Sequence, residues 1–379
     1  MIYLDHAATT PLAPEALEAM LPYLREAFGN ASSIHEAGRE ARAAVDAARD
    51  AVAGALRVDY AEVYFTSGGT EADNLAVLGA ARAAPPGRRH IVVSAAEHHA
   101  VLHSAAALER QGFVVDRVAV DGDGRVDPDE VARAVTSDTA LVSVMHANNE
   151  VGAINDITRV AAIAREHDAL THTDAVQSFG AVPVDARALG VDLLSVSAHK
   201  LGGPKGVGAL YVRAGTAVEP LMYGGSQERE KRPGTESVAA IVGFGRAVEV
   251  AEERRAGEAG RLASLRDRFV ELLQTAIPGL RLNGPSERRL PNNVNVSIAG
   301  IDGAAALMAL DRAGIAASSG SACSSGSIEP SHVLMAMGLP ADLASSSLRF
   351  TLGRSTTWRD LEGAASALAG IAARLRGAA

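Results

Sequence analysis

The chain has 379 residues, of which 47% are hydrophobic and 21% charged, and its formal net charge is −9 at pH 7. These values are typical of a globular protein with two domains, or with one large and one small domain. The negative charge argues against a nucleic-acid-binding surface, which needs a basic face. Every apolar run is shorter than the roughly 18–20 residues of a membrane span.

The N-terminal sequence and the number of cysteines indicate in which cellular compartment the protein is found. The first ten residues include Asp5 and lack the basic and apolar segments of a signal peptide. A single cysteine, Cys323, fits a reducing compartment, where disulfides are rare. The sequence therefore favours a cytoplasmic protein.

Between about residues 60 and 215, short β-rich runs alternate with alanine-rich helical stretches. This alternation predicts a mainly parallel sheet covered by helices on both faces. The predicted strands are 62–66, 90–95, 113–118, 141–145, 170–173, 191–197 and 208–212. The predicted helices between them are 72–84, 101–111, 157–166 and 176–189.

A second region follows the predicted sheet. The charged, alanine-rich stretch 248–276 predicts a long helix that leads into a second domain. The elements predicted beyond it are strands 293–298 and 347–352 and helices 303–313 and 358–376. This pattern is typical of a smaller α+β domain.

Polar segments follow five of the predicted strands, and ligands bind beyond the carboxyl ends of strands in a parallel sheet. These segments are 67–70, 97–99, 148–150, 174–177 and 197–200. In the first, Gly68 and Gly69 allow close backbone approach, and Thr70 is placed to cap a helix whose free N–H groups face an anion. A plain glycine turn with a threonine cap is the alternative.

Lys200 and Asp174 each lie just past a predicted strand. A lysine at the wall of a sheet suits Schiff-base chemistry. An aspartate there suits pairing with the pyridinium nitrogen of pyridoxal phosphate (PLP). Taken alone, a lysine in this position is more often a surface residue or an ion-pair partner, and Asp174 fits a helix N-cap equally well.

His98, His99 and His103 raise the possibility of a metal site. They lack the HExxH spacing, a nearby cysteine and a further ligand set with zinc spacing. We therefore predict no metal. A histidine ring stacked on a flat cofactor agrees better with the lysine and the aspartate described above.

Cys323 lies in a serine- and glycine-rich tract, 316–327, with few apolar side chains that could bury the thiol. An exposed cysteine of this kind is placed to react, whereas a buried one is usually inert. A tolerated surface thiol is the alternative.

Ten short motifs, taken together and in order, resemble the cysteine desulfurases of the class V aminotransferase group, which are PLP enzymes of fold type I. The resemblance runs nearly from end to end. The motifs are Tyr3-Leu-Asp-His-Ala-Ala-Thr-Thr-Pro11, Gly29-Asn-Ala-Ser-Ser-Ile-His35, Thr66-Ser-Gly-Gly-Thr-Glu71, Met145-His-Ala-Asn-Asn-Glu-Val-Gly152, Asp174-Ala-Val-Gln177, Ser197-Ala-His-Lys200, Gly203-Pro-Lys-Gly206, Arg232-Pro-Gly-Thr235, Ser318-Ser-Gly-Ser-Ala-Cys323 and Leu348-Arg-Phe-Thr-Leu-Gly-Arg354.

The resemblance implies that most of the matched residues hold PLP. Lys200 would bind the cofactor covalently and later move the Cα proton, Asp174 would pair with the pyridine nitrogen, and His98 would stack on the ring. The other implied contacts, to the ring, its hydroxyl and the phosphate, are Asn149, Gln177, Gly69, Thr70, Ser197, His199 and, toward the neighbouring subunit of a homodimer, Thr235.

The resemblance also implies the reaction. Arg349 would bind the carboxylate of L-cysteine, with Asn149 nearby. Cys323 would take the sulfur as a persulfide, L-alanine would leave, and the sulfur would pass to an acceptor protein. A free thiol of pKa ~8.5 is only about 3% ionised at pH 7, so Cys323 needs activation, and His98 is the candidate proton shuttle.

The implied fold is α/β, fold type I of the PLP-dependent transferases, with a mostly parallel seven-stranded sheet in a large domain and a small α+β domain. We place the large PLP-binding domain at 16–255. The small domain takes 1–15 and 256–379 and carries the cysteine loop at 316–330. That loop resembles the group I, housekeeping or nitrogen-fixation type.

The identity of the acceptor stays open among an iron–sulfur scaffold, a tRNA-thiolation relay and a cofactor-biosynthesis protein. We expect no direct nucleic-acid or membrane partner. Two rival functions also remain: another PLP lyase or aminotransferase of the group, such as a selenocysteine lyase, and a sulfur-carrier or scaffold subunit with a vestigial site. Intact Lys200, Asp174 and His98 speak against the vestigial site.

Overall fold

The computed structural model describes residues 1–319 and 330–377, so Cys323 lies outside the described residues. The helices are α1 (Pro14–Arg25), α2 (Glu36–Leu56), α3 (Gly69–Ala83), α4 (His99–Glu109), α5 (Pro128–Ala134), α6 (Ile157–Glu166), α7 (Ala186–Leu189), α8 (Val238–Ala276), α9 (Gly303–Arg312), α10 (His332–Ala336), α11 (Ala341–Ser345) and α12 (Trp358–Gly377). The strands are β1 (Ile2–Tyr3), β2 (Val63–Thr66), β3 (His90–Ser94), β4 (Val114–Val118), β5 (Thr139–Ser143), β6 (Leu170–Asp174), β7 (Leu193–Ser197), β8 (Gly208–Val212), β9 (Leu280–Leu282), β10 (Asn293–Ile298), β11 (Ile315–Ala316) and β12 (Ser347–Thr351).

The main sheet has seven strands in the order β2-β8-β7-β6-β5-β3-β4. Neighbours from β7 to β4 pair in parallel, while β8 is antiparallel to both its neighbours. The central strands β3, β5 and β7 are buried along their whole length, as strands covered on both faces are. The predicted mostly parallel seven-stranded sheet is confirmed. Because β2 runs in the same direction as β7, the five strands that the predicted polar segments follow all end at one edge.

Two local predictions are wrong. The predicted helix 176–189 is helical only at Ala186–Leu189, because Gly180 has a φ of 79° and Pro183 cannot donate a helix hydrogen bond. At the start of α3, the N-cap is Gly68, so Thr70 lies within the first turn and does not cap the helix. The first-turn N–H groups therefore stay available to a ligand.

A second hydrophobic core forms around the antiparallel strands β12, β10 and β9 together with α9 and α12. Helix α8 connects the two cores, because Phe244 packs in the core of the large sheet and Phe269 packs in the second core. Leu4 from the N-terminal segment also belongs to the second core. In the described part of the chain, no helix is long and apolar enough to cross a membrane.

A buried ion pair covers the edge strand β2. Arg49 and Glu228 are joined by two hydrogen bonds of 2.6 Å, and both side chains are buried. Glu228 also accepts the N–H of Phe65 at 2.8 Å, and Arg49 donates to the carbonyl of Val63 at 2.8 Å. The pair thus supplies hydrogen-bond partners to two backbone groups of the edge strand, one of which, the carbonyl of Val63, also accepts from Arg229.

We predict that Arg49→Met lowers the free energy of unfolding by about 3–5 kcal/mol, because Glu228 is left as a buried charge without its cation. The matched control is Arg246→Met, which breaks the exposed Arg246–Glu249 pair and should cost less than about 1 kcal/mol. Urea denaturation of both variants measures the difference. Equal small losses would mean that the buried pair is dispensable.

Candidate active site

A cavity of about 360 Å³ lies at the edge of the sheet where the five strand ends meet. Ten of the predicted site residues line it: Gly69, Thr70, His98, Asn149, Asp174, Gln177, Ser197, His199, Lys200 and Arg349. Thr235 does not; it lines a smaller cavity of about 150 Å³ together with Glu228 and Arg232. Cys323, the remaining predicted residue, lies outside the described residues.

Several residues that line the cavity were not among the assigned site residues. The polar ones are Asp73, His99, Glu150 and His332, of which His99 and Glu150 lie in the predicted polar segments 97–99 and 148–150. Asp73 had a usable signal, since it follows Gly69 by four residues on a predicted helix and therefore shares its face. His332 had none, because its position depends on how α10 packs against residues such as Ala96 and Val151.

The N-terminus of α3 forms one end of the cavity and is suited to an anion. A Cβ on Gly69 would lie 2.7 Å from Cγ2 of Val176, so only a glycine lets the start of α3 approach Val176 this closely. The buried Ser197 Oγ has no hydrogen-bond partner among the described residues. His199, whose pKa burial lowers to about 4, contacts Thr9 Oγ1 at 3.2 Å. The free N–H groups and this hydroxyl are suited to binding an anion such as a phosphate group.

Lys200 and Asp174 lie in the same cavity. The Lys200 Nζ donates to the carbonyls of Ala7 (2.5 Å) and Ala8 (2.8 Å). Asp174 is 5% exposed and accepts the N–H of Val176 at 2.8 Å. Burial raises its pKa to about 6, although this N–H and Lys200 oppose the rise. A buried carboxylate of this kind is suited to a cationic partner.

His98 is the N-cap of α4, and its Nδ1 accepts the N–H of Ala100 at 3.1 Å. Burial, with a contribution from Lys200, lowers the pKa of His98 to about 4, so the ring is neutral at pH 7. With Nδ1 as an acceptor, the hydrogen-bond network assigns the ring hydrogen to Nε2. A neutral, flat ring fits stacking against a planar group.

Arg349 is held in a fixed orientation at 2% exposure. Its Nη1 donates to the carbonyl of Asn149 and its Nη2 donates to Asp5, both at 3.0 Å. The buried Nε has no hydrogen-bond partner among the described residues. A guanidinium with remaining donor capacity in a cavity is suited to a carboxylate ligand.

Comparison with known proteins identifies the family. The model of the class-V aminotransferases matches residues 2–363. A cysteine desulfurase IscS of Dictyoglomus turgidum is 51% identical over 375 residues, 99% of this chain and 95% of that protein. Two solved structures are also similar: a NifS-like protein (36% identity, TM-score 0.92, 98% of this chain and 99% of that one) and SspA in complex with cysteine (33%, 0.83, 93% and 99%).

The chain therefore belongs to the class-V aminotransferase family and has the fold of the type I PLP enzymes. It is an enzyme that uses PLP. The cavity fits this cofactor: α3 and Ser197 supply uncommitted donors for a phosphate, and Asp174 supplies a buried carboxylate for a cationic ring nitrogen. In the described residues, no group of three or more histidine, cysteine, aspartate or glutamate side chains is arranged to hold a metal ion.

We predict that Ser197→Ala weakens PLP binding about tenfold or more without destabilising the cofactor-free protein, because the hydroxyl makes no hydrogen bond there. The matched control is Ser178→Ala. Ser178 is fully buried and bonded to Ala175 and His146, so its loss should lower stability and spare PLP affinity. Fluorescence titration with PLP and thermal melting separate the two effects. If Ser197→Ala lowered stability and left PLP affinity unchanged, Ser197 would not belong to the phosphate site.

We also predict that PLP affinity falls as the pH decreases below about 6. The pKa of Asp174 in the cofactor-free protein is about 6, and a cationic ring nitrogen pairs only with the ionised form. Affinity is therefore greatest above pH 6 and declines by up to about tenfold per pH unit below it. PLP titrations of the Asp174→Asn protein over the same pH range show how far the cofactor's own ionisations change the affinity. A wild-type curve parallel to that baseline would exclude Asp174 as the partner.

Proposed function

We propose that this protein is a cysteine desulfurase, which converts L-cysteine to L-alanine and passes the sulfur on through Cys323. The observation that carries the proposal is that Lys200, Asp174 and Arg349 line one cavity. A proton-transferring amine, an anion for a cofactor cation and a carboxylate-binding guanidinium thus face the same space. The desulfurase name of the Dictyoglomus relative and the cysteine bound to SspA support the choice of substrate.

Bound PLP supplies an electron sink for the bonds at the substrate Cα. Gly69, Thr70, Ser197 and His199 would hold its phosphate. Around the ring, Asp174 would face the nitrogen, Gln177 the hydroxyl and His98 one face, and Asn149 would lie close to both the ring and the substrate. The site residues therefore divide into a phosphate end and a ring end.

The chain's own groups perform the proton transfers and the orientation. Arg349 fixes the substrate carboxylate, and the backbone of Asn149 and the carboxylate of Asp5 hold the guanidinium in place. The Lys200 Nζ, bonded to the carbonyls of Ala7 and Ala8, removes the proton at Cα and returns a proton to the product carbon. Neutral His98 exchanges a proton with the thiol.

Cys323 is the sulfur acceptor in this proposal. The substrate Cβ–S bond breaks, a bond forms between that sulfur and the Cys323 sulfur, and the carbon keeps the electron pair and takes up a proton to become alanine. Because Cys323 is the only cysteine of the chain, the persulfide has one possible site. The acceptor is then an iron–sulfur scaffold or another sulfur relay protein. The single cysteine also supports a reducing, cytoplasmic location.

A second copy of the chain is the partner that we propose for Thr235. Phe28, Ile34 and Tyr223 are 90%, 91% and 85% exposed, so these large apolar side chains are available for contact with a second chain. Arg42 links the segment that contains Phe28 and Ile34 to the segment that contains Thr235, because it donates to the carbonyl of Ala31 and to Glu236. Light scattering should give twice the chain mass of 39.0 kDa. A monomer that binds PLP fully would remove this role of Thr235.

We further propose the division into a large domain, 16–255, and a small domain, 1–15 with 256–379. The two hydrophobic cores support it, since Leu4 packs with residues beyond 268. The boundary falls inside the continuous helix α8.

The reaction is tested with PLP-loaded protein, L-[³⁵S]cysteine and no reductant. We predict about one ³⁵S per chain and an equal amount of alanine, with neither formed by Cys323→Ala. The labelled sulfur should be released by a thiol reductant, as a persulfide requires. Lys200→Ala, as a second control, should bind no cofactor covalently. Alanine formed at the wild-type rate by Cys323→Ala would reject the persulfide route, and activity on selenocysteine alone would favour a selenocysteine lyase.

A further inference from the structure

Asp73 is a further buried carboxylate that lines the cavity with Asp174 and Glu150. It lies on α3, one turn after Gly69, and is 1% exposed. It lines the cavity, and its buried Oδ1 has no hydrogen-bond partner among the described residues. The proposed mechanism gives Asp73 no role, although burial of a carboxylate in such a position is costly.

The sheet places Asp73 next to a chain of polar side chains. His172 and Asp174 are two residues apart on β6 and therefore face the same side of the sheet. Ser195 on β7 is the register partner of Asp174. The Ser195 Oγ is 3.0 Å from His172 Nε2, and His172 Nδ1 is 2.8 Å from Ser143 Oγ. Asp73 Oδ1 lies 3.7 Å from the same His172 Nε2.

The neighbouring charges do not stabilise an ionised Asp73. His172 is fully buried, and burial lowers its pKa to about 3, so its ring is neutral. Lys200 acts on Asp174 and is not among the groups that act on Asp73. Burial, Asp174 and Glu97 raise the pKa of Asp73, and only a hydrogen bond from Ser195 opposes them.

We propose that Asp73 and Asp174 hold one negative charge between them, with Asp73 keeping the proton so that Asp174 stays ionised. Asp73 is then a positioning residue, which acts through Asp174. The inference rests on the proposed pairing of Asp174 with the cofactor nitrogen. Two carboxylates that share a site do not ionise together, because the like charges repel at close range.

The proton on Asp73 also fixes the direction of the hydrogen-bond chain. With Asp73 protonated, Ser195 donates to Nε2 of neutral His172, and His172 Nδ1–H donates to Ser143. If Asp73 lost its proton, each of these hydrogen bonds would reverse. The ionisation of Asp73 is therefore coupled to the tautomer of His172, on the strand that carries Asp174.

The first test uses the unsubstituted, PLP-loaded protein with carboxyl-¹³C-labelled aspartate. At pH 7, the infrared spectrum should contain an isotope-shifted C=O stretch of a protonated carboxylic acid. Glu97, whose pKa burial raises to about 8, would give an unshifted band, so the label separates the two. The shifted band should vanish in Asp73→Asn and persist in Glu97→Gln. A wild-type spectrum without the shifted band would overturn the proposal.

The second test measures PLP affinity against pH for Asp73→Asn. The amide has the shape of a neutral carboxylic acid, so affinity at pH 7 should stay within about threefold of wild type, and the midpoint near pH 6 should not move. If Asp73 were ionised, its removal would lower the pKa of Asp174, and the midpoint would shift to lower pH. Neither readout depends on cysteine turnover. An Asp174→Asn protein with unchanged PLP affinity would refute the underlying pairing instead.

Discussion

Burial at the carboxyl edge of the sheet determines the charge state of almost every ionisable group around the cavity. It lowers the pKa values of His98 and His199 to about 4 and raises that of Asp174 to about 6. Burial is the largest cause in each case, ahead of any neighbouring charge. At neutral pH the rings of His98 and His199 are therefore uncharged, and Asp174 keeps its negative charge by a small margin. A cofactor cation would widen that margin, since it favours the ionised carboxylate.

The same constraint explains the division of labour among the histidines. A protonated ring would compete with a cofactor cation for Asp174, whereas a neutral one can stack or donate a hydrogen bond without altering the charge. His172 is an extreme case, because it is fully buried between Ser143 and Ser195 and stays neutral. The cavity thus includes the guanidinium of Arg349 and the carboxylate of Asp174, which suit the carboxylate of an amino-acid substrate and a cationic ring nitrogen of a cofactor.

Much of this arrangement could be predicted, because ligands bind past the ends of parallel strands, and those ends are visible as polar segments after β-rich runs. Lys200, Asp174 and Ser197 were found in this way. The helix 176–189 was mispredicted because apolar spacing favoured a helix, while Gly180 and Pro183 prevented it. Asp73 could have been found from its spacing to Gly69, whereas His332 depends on packing between elements distant in sequence, which apolar periodicity alone does not give. The role of Thr235 needs a second chain, and Cys323 lies outside the described residues.

The N-terminal segment connects the parts that the sequence analysis treated separately. Asp5 contacts Arg349, the carbonyl of Ala7 accepts from both Lys200 and Gln177, and Thr9 contacts His199. One short segment therefore touches the carboxylate-binding, amine-bearing and phosphate ends of the cavity. Leu4, which precedes Asp5, is fully buried in the second core, and β1 pairs with β11. A displacement of the second core relative to the sheet would thus move all three contacts together, because the backbone that carries them is anchored in that core.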